Sequence, residues 1–129
     1  VVLTACSGPP PAVDYARTYP TLKQRDTLNI QVFRSAKHIE MTNTTARAFG
    51  LSTLWLNARF SRPITGLGVG ESLRLPLEEF RDEFSEAFRG GGFFASEVPE
   101  RLVLAQIETL NADHKPELLG LVVVGGEGE

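Results

Sequence analysis

The chain has 129 residues, of which 42% are hydrophobic and 22% charged, as in a single small folded domain. A formal net charge of -3 argues against a general nucleic-acid binder, which would need a basic face. The single cysteine excludes an intrachain disulfide and a metal site built from several cysteines, and no apolar run reaches the roughly 18–20 residues of a membrane-spanning helix.

The first residues of the chain form a pattern around the lone cysteine. Leu3, Thr4 and Ala5 precede Cys6, and Ser7, a glycine and three prolines follow it. An aliphatic residue, two small residues and a cysteine in this order resemble the lipobox of bacterial lipoprotein signal peptides. The resemblance implies cleavage after Ala5, a diacylglyceryl group on the sulfur of Cys6 and acylation of its new amino group. A chance match of four residues, or a buried free cysteine, is the alternative interpretation.

An acylated Cys6 would anchor the chain without a transmembrane helix. Each buried methylene of an acyl chain contributes about 0.8 kcal/mol, and two chains suffice for stable binding. The three prolines that follow favour an extended, semi-rigid spacer. Ser7 stands where enterobacterial lipoproteins retained in the inner membrane have Asp, so the resemblance favours the outer membrane. We therefore expect a protein of the bacterial cell envelope, lipid-anchored on the periplasmic side.

Four segments follow from this pattern and from the change in composition near residue 25. We expect residues 1–5 to be the remnant of a signal peptide and residues 6–24 to be the lipidated cysteine with a proline-rich tether. Residues 25–125 are predicted to form the folded domain, and residues 126–129 a flexible tail. The later part of the tether, residues 15–22, could lie along the domain.

Beyond residue 26 the apolar residues recur with a period of two, which is typical of half-buried strands. The alternating runs span residues 28–32, 39–41, 54–60, 73–77 and 103–107, and residues 118–124 are almost wholly apolar. Turn-forming residues at 43–45, 66–70, 90–92 and 111–113 separate these runs. About six to eight short strands with this spacing predict a mainly-β domain, an antiparallel β-sandwich.

Residues 39–77 contain a further pattern. A strand ends in the motif MTNT at 41–44, a second strand covers residues 53–60, and the motif GES at 70–72 leads into a third. This order resembles bacterial immunoglobulin-like and fibronectin-like extracytoplasmic domains. The resemblance implies an Ig-like β-sandwich, and it implies no catalytic residues, because such domains usually have none.

One short helical segment is predicted near residues 77–88. Phe80, Phe84 and Phe88 recur every fourth residue with acidic residues between them, the pattern of an amphipathic helix of about three turns. The three glycines at 90–92 would end this helix. A looser, irregular segment is the alternative, because Pro76 and the glycines leave little room for a helix.

The polar residues give little basis for catalysis. The carboxylates of this segment are typical of a solvated face, although a pair with separated pKa values could serve a hydrolase. They are Glu78, Glu79, Asp82, Glu83 and Glu86. The two histidines, His38 and His114, offer too few convergent ligands for zinc, and no catalytic serine elbow or nucleotide-binding loop motif is present. We therefore expect no enzyme activity, no metal and no cofactor.

The best candidates for partner binding lie on one predicted strand, at its end and in a glycine-flanked loop. They are Trp55, Asn57, Arg59, Arg62, Phe93 and Phe94. Trp55 and Arg59 belong to the residue types enriched in binding hot spots, and Phe93 and Phe94 would form an exposed apolar tip. The alternative is that Trp55 packs in the core and that Phe93 or Phe94 closes the bottom of the sandwich.

These observations favour a membrane-anchored extracytoplasmic lipoprotein that acts as a non-catalytic interaction module or accessory subunit of an envelope complex. Its expected partners are the lipid bilayer, through acylated Cys6, and a protein of the cell envelope, without nucleic acid. A small-ligand or carbohydrate-binding β-sandwich is the alternative function. The aromatic candidates for it are Trp55, Tyr15, Tyr19, Phe93 and Phe94. A hydrolase that uses carboxylates of residues 77–88 is the third hypothesis.

Overall fold

Seven strands build residues 16–92 and 98–125, the part of the chain that this computed structural model describes. They are β1 (Gln24–Arg34), β2 (His38–Thr42), β3 (Ser52–Leu56), β4 (Phe60–Ile64), β5 (Ser72–Pro76), β6 (Ala105–Leu110) and β7 (Pro116–Val124). The helical content of these two ranges is one 3₁₀ turn, Leu77–Glu79. None of their helical structure is long and apolar enough to cross a bilayer. The prediction of a mainly-β domain is confirmed.

The seven strands form one sheet in the order β4-β3-β6-β7-β1-β2-β5. Neighbouring strands are antiparallel except β1 and β7, which pair in parallel. The sheet is therefore mixed, and it curls into a half-barrel. The prediction of a wholly antiparallel arrangement is wrong at this one pair. A parallel pair needs a long crossover connection, and here the five strands between β1 and β7 in sequence provide it.

The core lies on the concave face of the curled sheet, where alternate residues of each strand point inward. The buried apolar side chains of the strands include Ile30, Val32, Ile39, Met41, Leu54, Leu56, Phe60, Ile64, Leu75, Ala105, Ile107, Leu119 and Leu121. Leu77, Phe80 and Phe88 from the segment after β5 complete the core. The other face of the sheet, here called the outer face, must therefore be solvated or covered by another segment.

The predicted single strand over residues 54–60 is a hairpin instead. β3 and β4 pair antiparallel with Leu56 opposite Phe60, and residues 57–59 form the connection, in which the N–H of Arg59 donates to the carbonyl of Leu56 at 3.1 Å. Asn57 and Ala58 both have a φ of 55°, the left-handed region that a type I′ hairpin turn requires. Leu56 and Phe60 are both buried in the core. The alternation of apolar residues continues through the turn, and this continuity hid the reversal of the chain.

Residues 77–88 are irregular beyond the 3₁₀ turn, so the predicted helix is wrong and the irregular alternative is correct. Arg81 exchanges both backbone hydrogen bonds with Ser61 of β4, at 2.9 and 3.0 Å between N and O. This pairing satisfies the outer edge of β4, which a helix would leave open. The glycine run comes next, and a Cβ at Gly90 would lie 2.7 Å from the carbonyl oxygen of Ala36. The close approach at Gly90 therefore requires a glycine.

Candidate interaction surface

Residues 16–23, here called the strap, lie across the outer face of β3 and β6 before the chain enters β1. The hydroxyl of Tyr19 donates to Oε1 of Gln106 at 2.8 Å. The guanidinium of Arg17 donates to Oε2 of Glu108 at 3.2 Å. Both acceptors belong to β6, so the strap is held on the sheet by polar side chains that bridge long distances in sequence.

Trp55 of β3 lies beneath the strap. Its side chain points to the outer face, yet its exposed fraction is 0%. The ring of Tyr19 meets the indole edge-on with 5.3 Å between centroids, and the guanidinium of Arg17 lies 5.6 Å from the ring centroid. The indole Nε1 donates to Oε1 of Glu108 at 2.9 Å. Trp55 is therefore not available to a partner while the strap is in place.

Replacing Tyr19 by alanine is expected to expose the indole of Trp55 to water without unfolding the sheet. The expected result is a shift of tryptophan emission to longer wavelength and stronger quenching by acrylamide, and the assignment is direct because Trp55 is the single tryptophan. Thr21→Ala changes an exposed position of the same strap and is the matched control. Unchanged emission in the Tyr19 variant would show that the strap does not cover the indole in solution.

Asn57 and Arg62 are engaged within the domain. The side-chain oxygen of Asn57 accepts the backbone N–H of Val103 at 2.9 Å, and its Nδ2 donates to the carbonyl of Arg101 at 2.7 Å. The Nε of Arg62 donates to Oε1 of Glu79 at 2.8 Å. Asn57 thus fixes the entry into β6, and Arg62 ties β4 to the 3₁₀ turn. Both side chains have a structural role that accounts for their positions.

Arg59, the third residue of the predicted set, forms an ion pair with Asp82. Its Nε and Nη2 donate to Oδ2 of Asp82 at 3.1 and 2.9 Å. Oδ1 of Asp82 accepts the backbone N–H groups of Phe84 and Glu86, each at 2.9 Å. Burial acts to raise the pKa of Asp82, but the hydrogen bonds from Glu86, Arg59 and Phe84 hold it below its ordinary value. The carboxylate therefore organises residues 82–86, here called the Phe84 loop.

The Phe84 loop exposes an apolar ring to water, while the two residues that flank the loop, Phe80 and Phe88, are fixed in the core. Phe84 is 77% exposed, whereas Phe80 and Phe88 are buried in the core. The N–H of Phe88 donates to the carbonyl of Phe80 at 2.9 Å, which closes the base of the loop. Ser85 has a φ of 67°, so its backbone adopts a left-handed conformation that Asp82 holds in place through its neighbours. The loop is therefore built to a defined shape with its phenyl ring outside.

A groove of about 270 Å³ separates the strap from the Phe84 loop. The side chains that face it include Arg17, Thr18, Arg59, Glu83, Phe84 and Glu86. The hydroxyl of Thr18 donates to Oε1 of Glu83 at 2.9 Å, so the strap contacts the loop directly. The arrangement offers an apolar ring, a half-exposed guanidinium and acidic side chains within one small area, a combination suited to contact with another molecule.

The aromatic residues proposed for carbohydrate binding do not form an exposed row where the structure describes them. Tyr19 and Trp55 meet edge-on at 89° between ring planes, and Trp55 is buried. Tyr15, Phe93 and Phe94 lie outside the described residues. A flat stacking platform for sugar rings is therefore not made by the strap and β3.

Three of the acidic residues of the third hypothesis, Glu79, Asp82 and Glu86, form ion pairs. Asp82 is paired with Arg59, and Glu79 with Arg62. In residues 16–92 and 98–125, no three His, Cys, Asp or Glu side chains are grouped closely enough to hold a metal ion. The arrangement of these carboxylates is that of structural ion pairs around the 3₁₀ turn and the Phe84 loop.

Comparison with protein-family models, curated proteins and solved structures gave no match to the chain. The candidate interaction surface is therefore defined by geometry alone, with Phe84 and Arg59 at its centre and Glu83 and Glu86 at its rim. Sequence reasoning found Arg59 and missed Phe84. The four-residue spacing of the phenylalanines placed Phe84 on the buried side of a predicted helix. No other signal in the sequence distinguishes Phe84 from Phe80 and Phe88.

Proposed function

We propose that this chain is a membrane-anchored extracytoplasmic lipoprotein whose domain is a non-catalytic interaction module, or an accessory subunit of an envelope complex. The observation that carries the proposal is the exposed ring of Phe84 on a loop organised by Asp82 and Arg59. The proposed contact surface comprises Phe84 and Arg59, with Glu83 and Glu86 around them. The expected occupant is a protein with an apolar pocket and basic residues at its rim.

The exposed ring of Phe84 leaves unused a burial free energy that binding to a partner would provide. Full burial of a phenylalanine side chain contributes about 1.5–3 kcal/mol, which Phe80 and Phe88 realise within the core and Phe84 does not. A loop whose shape is already fixed loses little conformational entropy when a partner docks. Arg59 lies beside it with half of its side chain exposed, and arginine is among the residues enriched in binding hot spots.

The strap connects the proposed anchor to the proposed contact surface. Acylation of Cys6 would attach the chain to the bilayer through the proline-rich spacer, and the strap continues that spacer onto the domain. Thr18 of the strap contacts Glu83 of the Phe84 loop, so the loop sits where the tether reaches the fold. A tethered domain in this orientation would present Phe84 to proteins close to the membrane, on the periplasmic side and, by Ser7, at the outer membrane.

The Ig-like fold class also belongs to the proposal. Its support is the sequence pattern over residues 39–77 and the seven short strands with a buried core between curled halves of the sheet. The parallel pairing of β1 with β7 and the single continuous sheet depart from two facing antiparallel sheets. Such domains commonly serve as binding modules, which agrees with a non-catalytic function.

The test is native extraction from the source membrane in mild detergent, with Phe84→Ser compared against the unchanged protein. We expect a stoichiometric companion that is retained by the unchanged protein and lost from the Phe84 variant. Leu51→Ser is the matched control, because Leu51 is also 77% exposed and does not line the groove between the strap and the Phe84 loop. A companion that binds both variants equally would contradict the assigned surface, and a protein recovered alone would contradict the interaction module.

Mass analysis of the amino-terminal peptide of the same preparation tests the anchor separately. We expect acyl chains on Cys6, and release of the protein from the membrane when Cys6 is replaced by serine. An unmodified thiol at Cys6 would contradict the lipoprotein assignment and leave the Phe84 surface to be judged by the extraction alone.

A further inference from the structure

The strap covers one half of the outer face and leaves the other half open. The open face, as it is called here, consists of the outward side chains of β1, β2 and β5. They include Asn29, Gln31, Phe33, His38, Glu40, Thr42, Ser72 and Arg74. The pairing register places Phe33 beside Glu40 and Glu40 beside Arg74, and it continues to β7 with Val124 beside Phe33. Four strands therefore contribute to one continuous surface.

A row of three side chains on β1 runs along the middle of the open face. Asn29, Gln31 and Phe33 follow each other at every second residue, about 6.6 Å apart along the strand. The ring of Phe33 is 48% exposed and lies between Glu40 and Val124. The amide groups of Asn29 and Gln31 make no hydrogen bond to the described part of the chain. Each amide can therefore donate to and accept from a ligand at the same time.

The two charged side chains at the centre of the open face are paired with each other. Nε of Arg74 donates to Oε2 of Glu40 at 2.9 Å, so the two charged side chains neutralise each other. The hydroxyls of Thr42 and Ser72 are 2.6 Å apart and stand beside this ion pair. A shallow groove of about 410 Å³ runs over β1 and β2 between these groups. The carboxylate and the guanidinium at the centre of this surface are therefore engaged with each other.

We propose that the open face binds a neutral saccharide chain. A pyranose ring has an apolar C–H face, which can pack on Phe33 and the neighbouring valine, and a rim of hydroxyls, each both a donor and an acceptor. Asn29, Gln31 and Thr42 offer groups of the same double character within reach of that rim.

The composition of the open face favours a saccharide over a protein partner. Tryptophan and tyrosine, which are enriched in protein hot spots, are absent from β1, β2 and β5. The arginine at the centre of the open face, Arg74, is engaged with Glu40. The site is independent of the Phe84 loop, which lies beyond the strap at the β4 edge of the sheet. Failure of either proposal therefore leaves the other intact.

The test is a titration of the isotope-labelled protein, followed by amide NMR, with three neutral oligosaccharides: cellohexaose, mannohexaose and N-acetylchitohexaose. We expect at least one of them to shift amide signals of β1, β2 and β5, with an affinity that does not depend on salt. Phe33→Ala and Gln31→Ala should each weaken that binding by about tenfold. Leu51→Ser and Phe84→Ser serve as controls and should bind as the unchanged protein does.

Several results would overturn the saccharide proposal. One is the absence of any shift on these strands with all three oligosaccharides at millimolar concentration. Another is binding that Phe33→Ala and Gln31→Ala leave unchanged while both variants remain folded. A third is concentration-dependent dimerisation that Phe33→Ala abolishes, because the open face would then be covered by a second copy of the chain.

Discussion

Replacement of Trp55 by alanine is expected to lower the free energy of unfolding by about 3–5 kcal/mol, because a fully buried aromatic side chain is removed. The change also deletes the edge-on contact with Tyr19 and the hydrogen bond from the indole to Glu108. The strap then loses the surface on which it lies. Urea denaturation followed by far-ultraviolet circular dichroism measures the effect, since the variant has no tryptophan fluorescence.

Two further variants make this result interpretable. Leu51→Ala removes an apolar side chain that lies next to the same strand and is 77% exposed. We expect this variant to change the free energy of unfolding by no more than about 0.5 kcal/mol. Trp55→Phe keeps a ring beneath Tyr19 and should lose less stability than Trp55→Ala. A loss in Trp55→Ala no larger than that in Leu51→Ala would mean that residue 55 is solvated and that the strap does not cover it.

Replacement of Asp82 by alanine is expected to cost about 2–3 kcal/mol of stability, because charged hydrogen bonds are lost and their donors stay without an acceptor. Those donors are the guanidinium of Arg59 and the backbone N–H groups of Phe84 and Glu86. The Phe84 loop should then lose its shape, so faster amide hydrogen exchange at Phe84 and Glu86 is expected together with the lower unfolding free energy. Glu83→Ala, an exposed position of the loop, is the control.

The pKa of Asp82 gives this prediction a pH dependence with a definite sign. Burial acts to raise it, but the surrounding hydrogen bonds hold it below its ordinary value of 3.8, so the unfolded chain takes up the proton more readily than the folded one. The stability that the ionised carboxylate contributes is complete above pH 3.8 and is lost as the pH falls below that value. Unfolding free energy should fall less steeply there in Asp82→Asn. Equal slopes would contradict this.

The strands of the domain could be predicted because most of them bury one face. The alternation around Ile30, Ile39 and Ile107 follows from the period of a half-buried strand, and these residues are in the core. The order of strands in the sheet could not be predicted in the same way. The parallel pair of β1 and β7 joins opposite ends of the chain, and no local pattern encodes a pairing at that distance.

The segment after β5 shows how a spacing can mislead. Residues eight apart, such as Phe80 and Phe88, share a face of a helix, but they also meet when an extended chain folds back on itself around a tight loop. Phe80 and Phe88 pair in this second way, and Phe84 lies at the tip of the loop between them. Asp82 stabilises this loop conformation, because its carboxylate accepts hydrogen bonds from the loop backbone. The buried carboxylate is in turn paired with Arg59, 23 residues away in sequence.

Trp55 shows the same dependence on distant partners. The sequence left open whether its side chain is in the core or on a free surface, and the structure places it in neither. It points away from the core and is covered by the strap, more than thirty residues earlier in the chain. Only the positions of Tyr19 and Arg17 above the outer face decide its burial, and nothing in residues 54–60 encodes them.

Site-specific photo-crosslinking in the living source cell tests whether the anchored domain contacts a protein through Phe84. A benzophenone amino acid at position 84 keeps an aromatic ring at the tip of the loop, and the same amino acid at position 51 is the control of equal exposure. We expect one dominant protein adduct from position 84 and none from position 51. No adduct from position 84, or the same adducts from both positions, would contradict it.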